Sequence, residues 1–181
     1  MNLSEWFATP ESGIAQMLGC IAMLLGFAMY AFHRRGSILL AKLVSDALWV
    51  GHYALIGAAS GAWINGVNAI REGVFYYKGK RWASHLFWPF LFLFLNLALT
   101  VLSWQGAISL LPVLGSSLNV LGLWCSDTKR LRMVTVPALS AWLTYSALVG
   151  SLWGVLVSSA SICSAVYALC RDWIAQHSKR V

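Results

Sequence analysis

Trp49 and Asn65 stand on either side of a short turn around Gly57, each eight residues away from it. On two helices that rise to and descend from that turn, both lie about 12 Å below it, at one depth. An indole face opposite an amide that both donates and accepts is a chemistry suited to holding a small polar molecule and letting it go. Trp142 repeats Trp49 later in the chain, and Ser158 stands where the second copy would place Asn65. Gly61, Asn65, Asn68 and Glu72 follow the spacing i, i+4, i+7, i+11, so they form one polar stripe on a helix. Lipid cannot satisfy such a stripe, which must face other helices or water. Trp49, Asn65, Asn68, Trp142 and Ser158 are therefore the candidate solute-binding residues. The competing structural role is packing by the tryptophans and an interhelical bond from Asn65.

A second group carries charge. Lys42 and Asp46 are four apart on one helix, and Arg71 and Glu72 lie at the lower end of the stripe on the next. Asp46 and Arg71 fall at nearly equal depth, which predicts an ion pair across the hairpin. Each charge alone costs about 2.5–3.5 kcal/mol in a membrane helix, a strong reason to pair. The cluster reads either as an inner gate or ion-sensitive site, or as a static clamp from which Lys42 and Arg71 snorkel to the surface. In the second copy the matching positions, Leu139 and Ser164, are uncharged, so any gate would be one-sided. Pro112 and Pro137, with Pro89, are expected inside helices, where a missing backbone bond permits a hinge or a fixed kink.

Catalysis finds little support. The histidines, His33, His52, His85 and His177, are scattered, and no triad order, paired carboxylates or phosphate loop occurs. Cys20, Cys125, Cys163 and Cys170 form no CxxC and have no histidine at ligand spacing, so neither a disulfide frame nor a metal site is expected. No enzyme activity and no cofactor are expected.

The elements that must position these residues follow from composition. With 59% hydrophobic and 10% charged residues, the chain cannot build the polar surface of a soluble domain. The net charge of +7 sits in short clusters between apolar runs, a pattern of cytoplasmic loops rather than of a nucleic-acid face. Seven apolar runs of about twenty residues, near 12–32, 37–56, 59–77, 83–104, 107–125, 131–149 and 151–172, are each long enough to span a bilayer. The connections at His33–Gly36, Lys78–Arg81 and Asp127–Arg130 and the tail from Arg171 are basic. The alternate ones carry no positive side chain. The positive-inside rule then puts the N-terminus out and the C-terminus in. Trp63, Trp82, Trp104, Trp153 and Trp173 fall near run ends and are expected at the headgroup layer.

The first part of the chain is written twice. Leu18-Gly19 and Leu25-Gly26 recur as Leu114-Gly115 and Leu121-Gly122, and Trp49, Ala54, Leu55, Gly57 and Gly61 recur as Trp142, Ala147, Leu148, Gly150 and Gly154. Three passes end on the side opposite their start, so an extra pass is needed to make two copies parallel. The greasy run Leu86–Leu95, polar only at the following Asn96, suits that spacer. The expected fold is an all-α polytopic membrane protein of seven transmembrane helices in a 3+1+3 arrangement of parallel triple-helix bundles. Its divisions are a lead (1–11), a first bundle (12–82), a linker helix (83–106), a second bundle (107–172) and a cytoplasmic tail (173–181). The small residues of the third and seventh helices predict that these two are central in their bundles.

This layout resembles the SWEET/PQ-loop (MtN3-like) superfamily of small transporters. More closely, Ala62-Trp63-Ile64-Asn65-Gly66-Val67-Asn68-Ala69-Ile70-Arg71 and Leu110-Leu111-Pro112-Val113-Leu114-Gly115 resemble the YgjV-type family of bacterial inner-membrane proteins. The resemblance implies two bundles around a central path and a bacterial inner-membrane location. In sugar-carrying SWEET-type proteins a Trp on the second helix and an Asn on the third line the pocket, and Trp49 and Asn65 are similar in kind and spacing. Ser158 departs from that pattern and weighs against sugar specificity. The expected function is a facilitator-like, alternating-access transporter of a small polar solute, with membrane lipid as its surroundings, no nucleic-acid partner and no required oligomer. The alternative is a membrane sensor or assembly scaffold that does not transport.

Overall fold

The computed structural model describes residues 10–28, 32, 35–124 and 128–178. The lead before residue 10, residues 29–31, His33 and Arg34 of the first basic connection, Cys125 to Asp127 and the last three residues lie outside the described residues. So do the side chains of Trp173 and His177. Among the described residues the chain is all helical. Its helices are α1 (Pro10–Ala28), α2 (Arg35–Leu55), α3 (Ala59–Tyr76), α4 (Phe87–Leu102), α5 (Leu110–Trp124, entered through a 3-10 turn Ala107–Ser109), α6 (Thr128–Leu148) and α7 (Leu152–Ser178).

Among the described residues one helical stretch, Gly36–Leu55, is both long and apolar enough to cross a membrane, and five shorter apolar stretches lie in α1, α4, α5, α6 and α7. Helices α1, α2, α3, α6 and α7 have 19, 21, 18, 21 and 27 residues, near the run lengths expected or longer, whereas α4 and α5 are shorter at 16 and 15. The fourth differs most. Residues 83–86 form turns instead of the first part of a helix, because the His85 ring accepts the Phe87 N–H (3.1 Å) and the Trp88 indole bonds the Trp82 carbonyl (2.7 Å). These bonds start α4 at Phe87 and leave Pro89 in its first turn, where no intrahelical donor is lost.

Neighbouring helices make a ring: α1 on α2, α2 on α3, α3 on α5, α5 on α6, α6 on α7, and α7 back on α1. Helix α4 stands outside it, against α3 and α5. Its outer stripe, Phe90, Phe94, Leu97 and Val101, is exposed, whereas Asn96 on the opposite side is fully buried. Within each run of three, it is α2 and α6 that touch both companions, not α3 and α7 as the small residues suggested. Gly61 and Gly154 serve the contact between the halves, as described below, whereas Gly66 and Gly73 of α3 face Val50 and Leu43 of α2.

The two turns are built alike. Gly57 and Gly150 have φ of 75° and 74°, a region that glycine enters without penalty. The Ala58 N–H bonds the Tyr53 carbonyl at 2.8 Å, and the Ser151 N–H bonds the Ser146 carbonyl at 2.8 Å. Trp63, Trp82 and Trp104 are exposed near helix ends, as a headgroup belt requires. Trp153 departs from that expectation. It packs inward against the cluster of Trp49, Tyr53 and Tyr145, facing Gly19.

Candidate functional site

A cavity of about 150 Å³ lies between the halves of the ring. From the first half it is lined by Gly26 of α1, by Lys42, Ser45, Asp46, Trp49 and Tyr53 of α2, and by Asn65 and Asn68 of α3. From the second half come Asn119 of α5, Leu139 and Trp142 of α6, and Gly154, Val157, Ser158 and Ser161 of α7. The five candidate solute residues, Trp49, Asn65, Asn68, Trp142 and Ser158, thus meet at one place. Trp49 stacks on Tyr53 (centroids 5.5 Å, 28° between planes), and Tyr53 lies 6.2 Å from Trp142 at 33°. Three rings of similar tilt form an apolar wall facing the amides of α3.

Above these rings, toward the turns, the halves are joined by a polar lattice. Tyr53 Oη and Ser146 Oγ are 2.9 Å apart. Tyr53 and Ser146 stand at matching positions of the sequence pattern, four residues after Trp49 and Trp142. His52 Nδ1 faces the Ala15 carbonyl at 2.8 Å, and a carbonyl only accepts, so this nitrogen carries the proton. Its Nε2 then accepts the Ser151 hydroxyl at 2.8 Å. In return Tyr145, the counterpart of His52, reaches the start of α3: its hydroxyl accepts the Gly61 N–H (2.8 Å) and lies 3.1 Å from Ser60 Oγ.

This reciprocity has a local cause. Ser151 caps α7 by accepting the Gly154 N–H at 3.2 Å, as a serine before a helix should. Ala58, in the same place before α3, has no side chain with which to cap it. Tyr145 supplies the missing acceptor from the other half. We predict that Tyr145→Phe, which leaves the buried Gly61 N–H without a partner, lowers the stability of the purified protein by about 0.5–2 kcal/mol, with thermal unfolding in detergent as the measurement.

Below the rings lies the charge cluster, and its pairing differs from the sequence expectation. Asp46 pairs with Lys42 on its own helix at 3.1 Å, while Arg71 pairs with its neighbour Glu72 at 2.9 Å. The bond that crosses the hairpin is Lys42–Glu72 at 3.4 Å, not Asp46–Arg71. Glu72 Oε1 is shared between both cations because the polar stripe turns Glu72 inward, where it is fully buried. Arg71 does not snorkel: it is also fully buried, whereas the Lys42 side chain keeps 29% of its exposure and borders the cavity. Arg71 and Glu72 stand behind the cavity wall rather than on it.

Pro137 lies inside α6 and removes the amide that would reach the Met133 carbonyl. Pro112 falls in the first turn of α5, just past the 3-10 turn, rather than in mid-helix as the sequence suggested. Sequence reasoning set His52 aside as one of four scattered histidines, with Tyr145 as its match in the repeat, and passed over Tyr53, Ser146 and Ser151. The signal for them was present in part, since Tyr145 follows Trp142 at the spacing by which His52 follows Trp49. No group of three or more potential metal ligands occurs among the described residues.

A protein-family model, Imp-YgjV, described as a bacterial inner membrane protein, matches residues 13–176 of this chain. Neither the curated proteins nor the solved structures offer a match.

Proposed function

The chain belongs to the Imp-YgjV family of bacterial inner membrane proteins, and on that premise we propose that it carries a small polar solute across that membrane through the cavity between its halves. The observation behind this reading is that one cavity gathers aromatic faces and amides from both halves. It is closed toward the turns by bonds that cross between the halves and is bordered at its other end by the partly exposed Lys42. A volume of about 150 Å³ is below the ~300–1,000 Å³ usual for drug-sized ligands and suits a small solute. The protein multi-passes the membrane as a carrier and not as an enzyme.

The finer architecture belongs to the same proposal. The two matching turns and the reciprocal bonds of His52 and Tyr145 support two parallel three-helix repeats with α4 as spacer. The SWEET/PQ-loop resemblance is then one of architecture. Basic connections on the side away from the turns support an extracytoplasmic N-terminus. In this reading the lattice of Tyr53–Ser146, His52–Ser151 and Tyr145–Gly61 is the outer closure, and access alternates when it parts. The charge cluster holds α2 against α3 as a clamp.

Flux of a panel of small neutral and charged solutes into proteoliposomes tests the proposal. Asn65→Ala and Trp49→Phe are expected to lower the flux of the accepted solute by about tenfold, the effect of one lost hydrogen bond or stacking contact. Absence of flux for every solute, or flux indifferent to both substitutions, removes the reading.

A further inference from the structure

Helix α4 looks at first like a passive spacer, but it carries one fully buried polar side chain, Asn96. Asn96 Nδ2 donates to Ser116 Oγ of α5 at 3.0 Å, and Ser116 Oγ donates in turn to Asn68 Oδ1 of α3 at 2.6 Å. A three-helix chain of bonds thus runs from outside the ring to the cavity wall. Its direction is decided by what each alternative leaves unpaired. As it stands, Asn96 Oδ1 is buried without a partner. Reversing every bond would satisfy that oxygen but would leave both hydrogens of the Asn96 amide buried and unpaired. The present direction leaves the oxygen and one hydrogen, and an orphaned buried N–H is rarer than an orphaned buried C=O.

With its oxygen committed to Ser116, Asn68 has its amide N–H2 left for the cavity. Asn65, one turn earlier, is fixed in the opposite sense. Its Nδ2 donates to the Gly61 carbonyl at 2.8 Å, and a carbonyl cannot be served by Oδ1. The cavity is therefore given an acceptor, Asn65 Oδ1, beside a donor, Asn68 Nδ2, on one helix face. Its charged lining, Lys42 and Asp46, is already paired and has no uncompensated charge to offer an ion.

We infer that Asn96 is a positioning residue that acts through Ser116 to fix the polarity of Asn68, and that the site takes a small neutral molecule bearing both a hydrogen-bond donor and an acceptor, as an amide does. The ligand class rests on the transport reading above. The relay does not.

Asparagine-selective 15N labelling of the protein in nanodiscs tests both, since the chain has only five asparagines. Asn96→Leu is expected to shift the Asn68 side-chain amide while leaving that of Asn65 in place, which also reports that the fold is intact. The shift disappears when Ser116→Ala is already present, because the path is cut. An Asn68 signal indifferent to Asn96→Leu, or moved as far in the Ser116→Ala background, overturns the relay. Malonamide, a neutral donor and acceptor, is expected to perturb Asn65 and Asn68, while malonate does not, and Asn96→Leu weakens malonamide binding about tenfold. A response to malonate equal to that of malonamide overturns the ligand class. Silence toward both solutes, together with no flux in liposomes, removes the transport reading, and the relay is still decided by the ligand-free spectra.

Discussion

Arg71→Met is expected to destabilise the protein by about 3–5 kcal/mol, the cost of breaking a buried ion pair by removing one partner. Arg71 and Glu72 are both fully buried, and the four charges of the cluster sum to zero. Losing Arg71 leaves two carboxylates against a single ammonium, with Glu72 still inside and one of its oxygens already unpartnered. The companion substitution decides whether the cause is charge. Arg71→Met combined with Glu72→Leu removes one charge of each sign and leaves Lys42 with Asp46, a pair already 3.1 Å apart. The double variant should regain most of the lost stability, because replacing a buried pair by apolar groups is often neutral or better. Thermal unfolding of all three proteins in detergent measures the cycle. A double variant as unstable as the single one would mean that Arg71 acts by packing, and a clamp made of charges would be the wrong description.

Gly61→Val is the second large effect. A Cβ at Gly61 would lie 2.7 Å from both the Tyr145 ring edge and its hydroxyl, closer than such atoms approach. Tyr145 is fully buried between the halves and has nowhere to retreat without leaving the Gly61 N–H it caps. Overpacking of this kind costs about 1–3 kcal/mol, and the lost cap adds ~1 kcal/mol. Since Tyr145 belongs to the other half, the strain falls on the closure itself, and the variant should favour parted turns. Gly79, with nothing near its would-be Cβ, supplies the control, and Gly79→Ala should be neutral. Equal melting temperatures for the Gly61 and Gly79 variants would contradict the close approach of α3 and Tyr145.

What could be read from the sequence was what depends on spacing within one helix or one hairpin. Counting from Gly57 places Trp49 and Asn65 at one depth, and the polar stripe from Gly61 to Glu72 predicts which face of α3 turns inward. The repeat of Trp49 as Trp142 brings the second wall of the cavity into view. What escaped depends on contacts between distant segments or on side-chain reach. Arg71 and Glu72 are adjacent, and neighbours on a helix do not normally face each other. Their bond exists because a long guanidinium stem can fold back once both are excluded from water. The lattice of His52, Ser151, Tyr145 and Ser60 needs the two turns brought together, which no local spacing encodes. The start of α4 is not legible because no glycine or proline marks residues 83–86, and the delay comes from two side-chain bonds, of His85 and Trp88.

The central claim is that the cavity opens to each side of the membrane in turn. Its most direct measurement is the labelling of Ser158→Cys, in a chain whose four native cysteines are replaced by serine, with a membrane-impermeant methanethiosulfonate applied to each face of oriented vesicles. Ser158 lines the cavity and is buried from every outer surface of the bundle. The account predicts modification from both faces, with the outer face reached faster when Gly61→Val loosens the closure. Modification from a single face, or from neither, would contradict it.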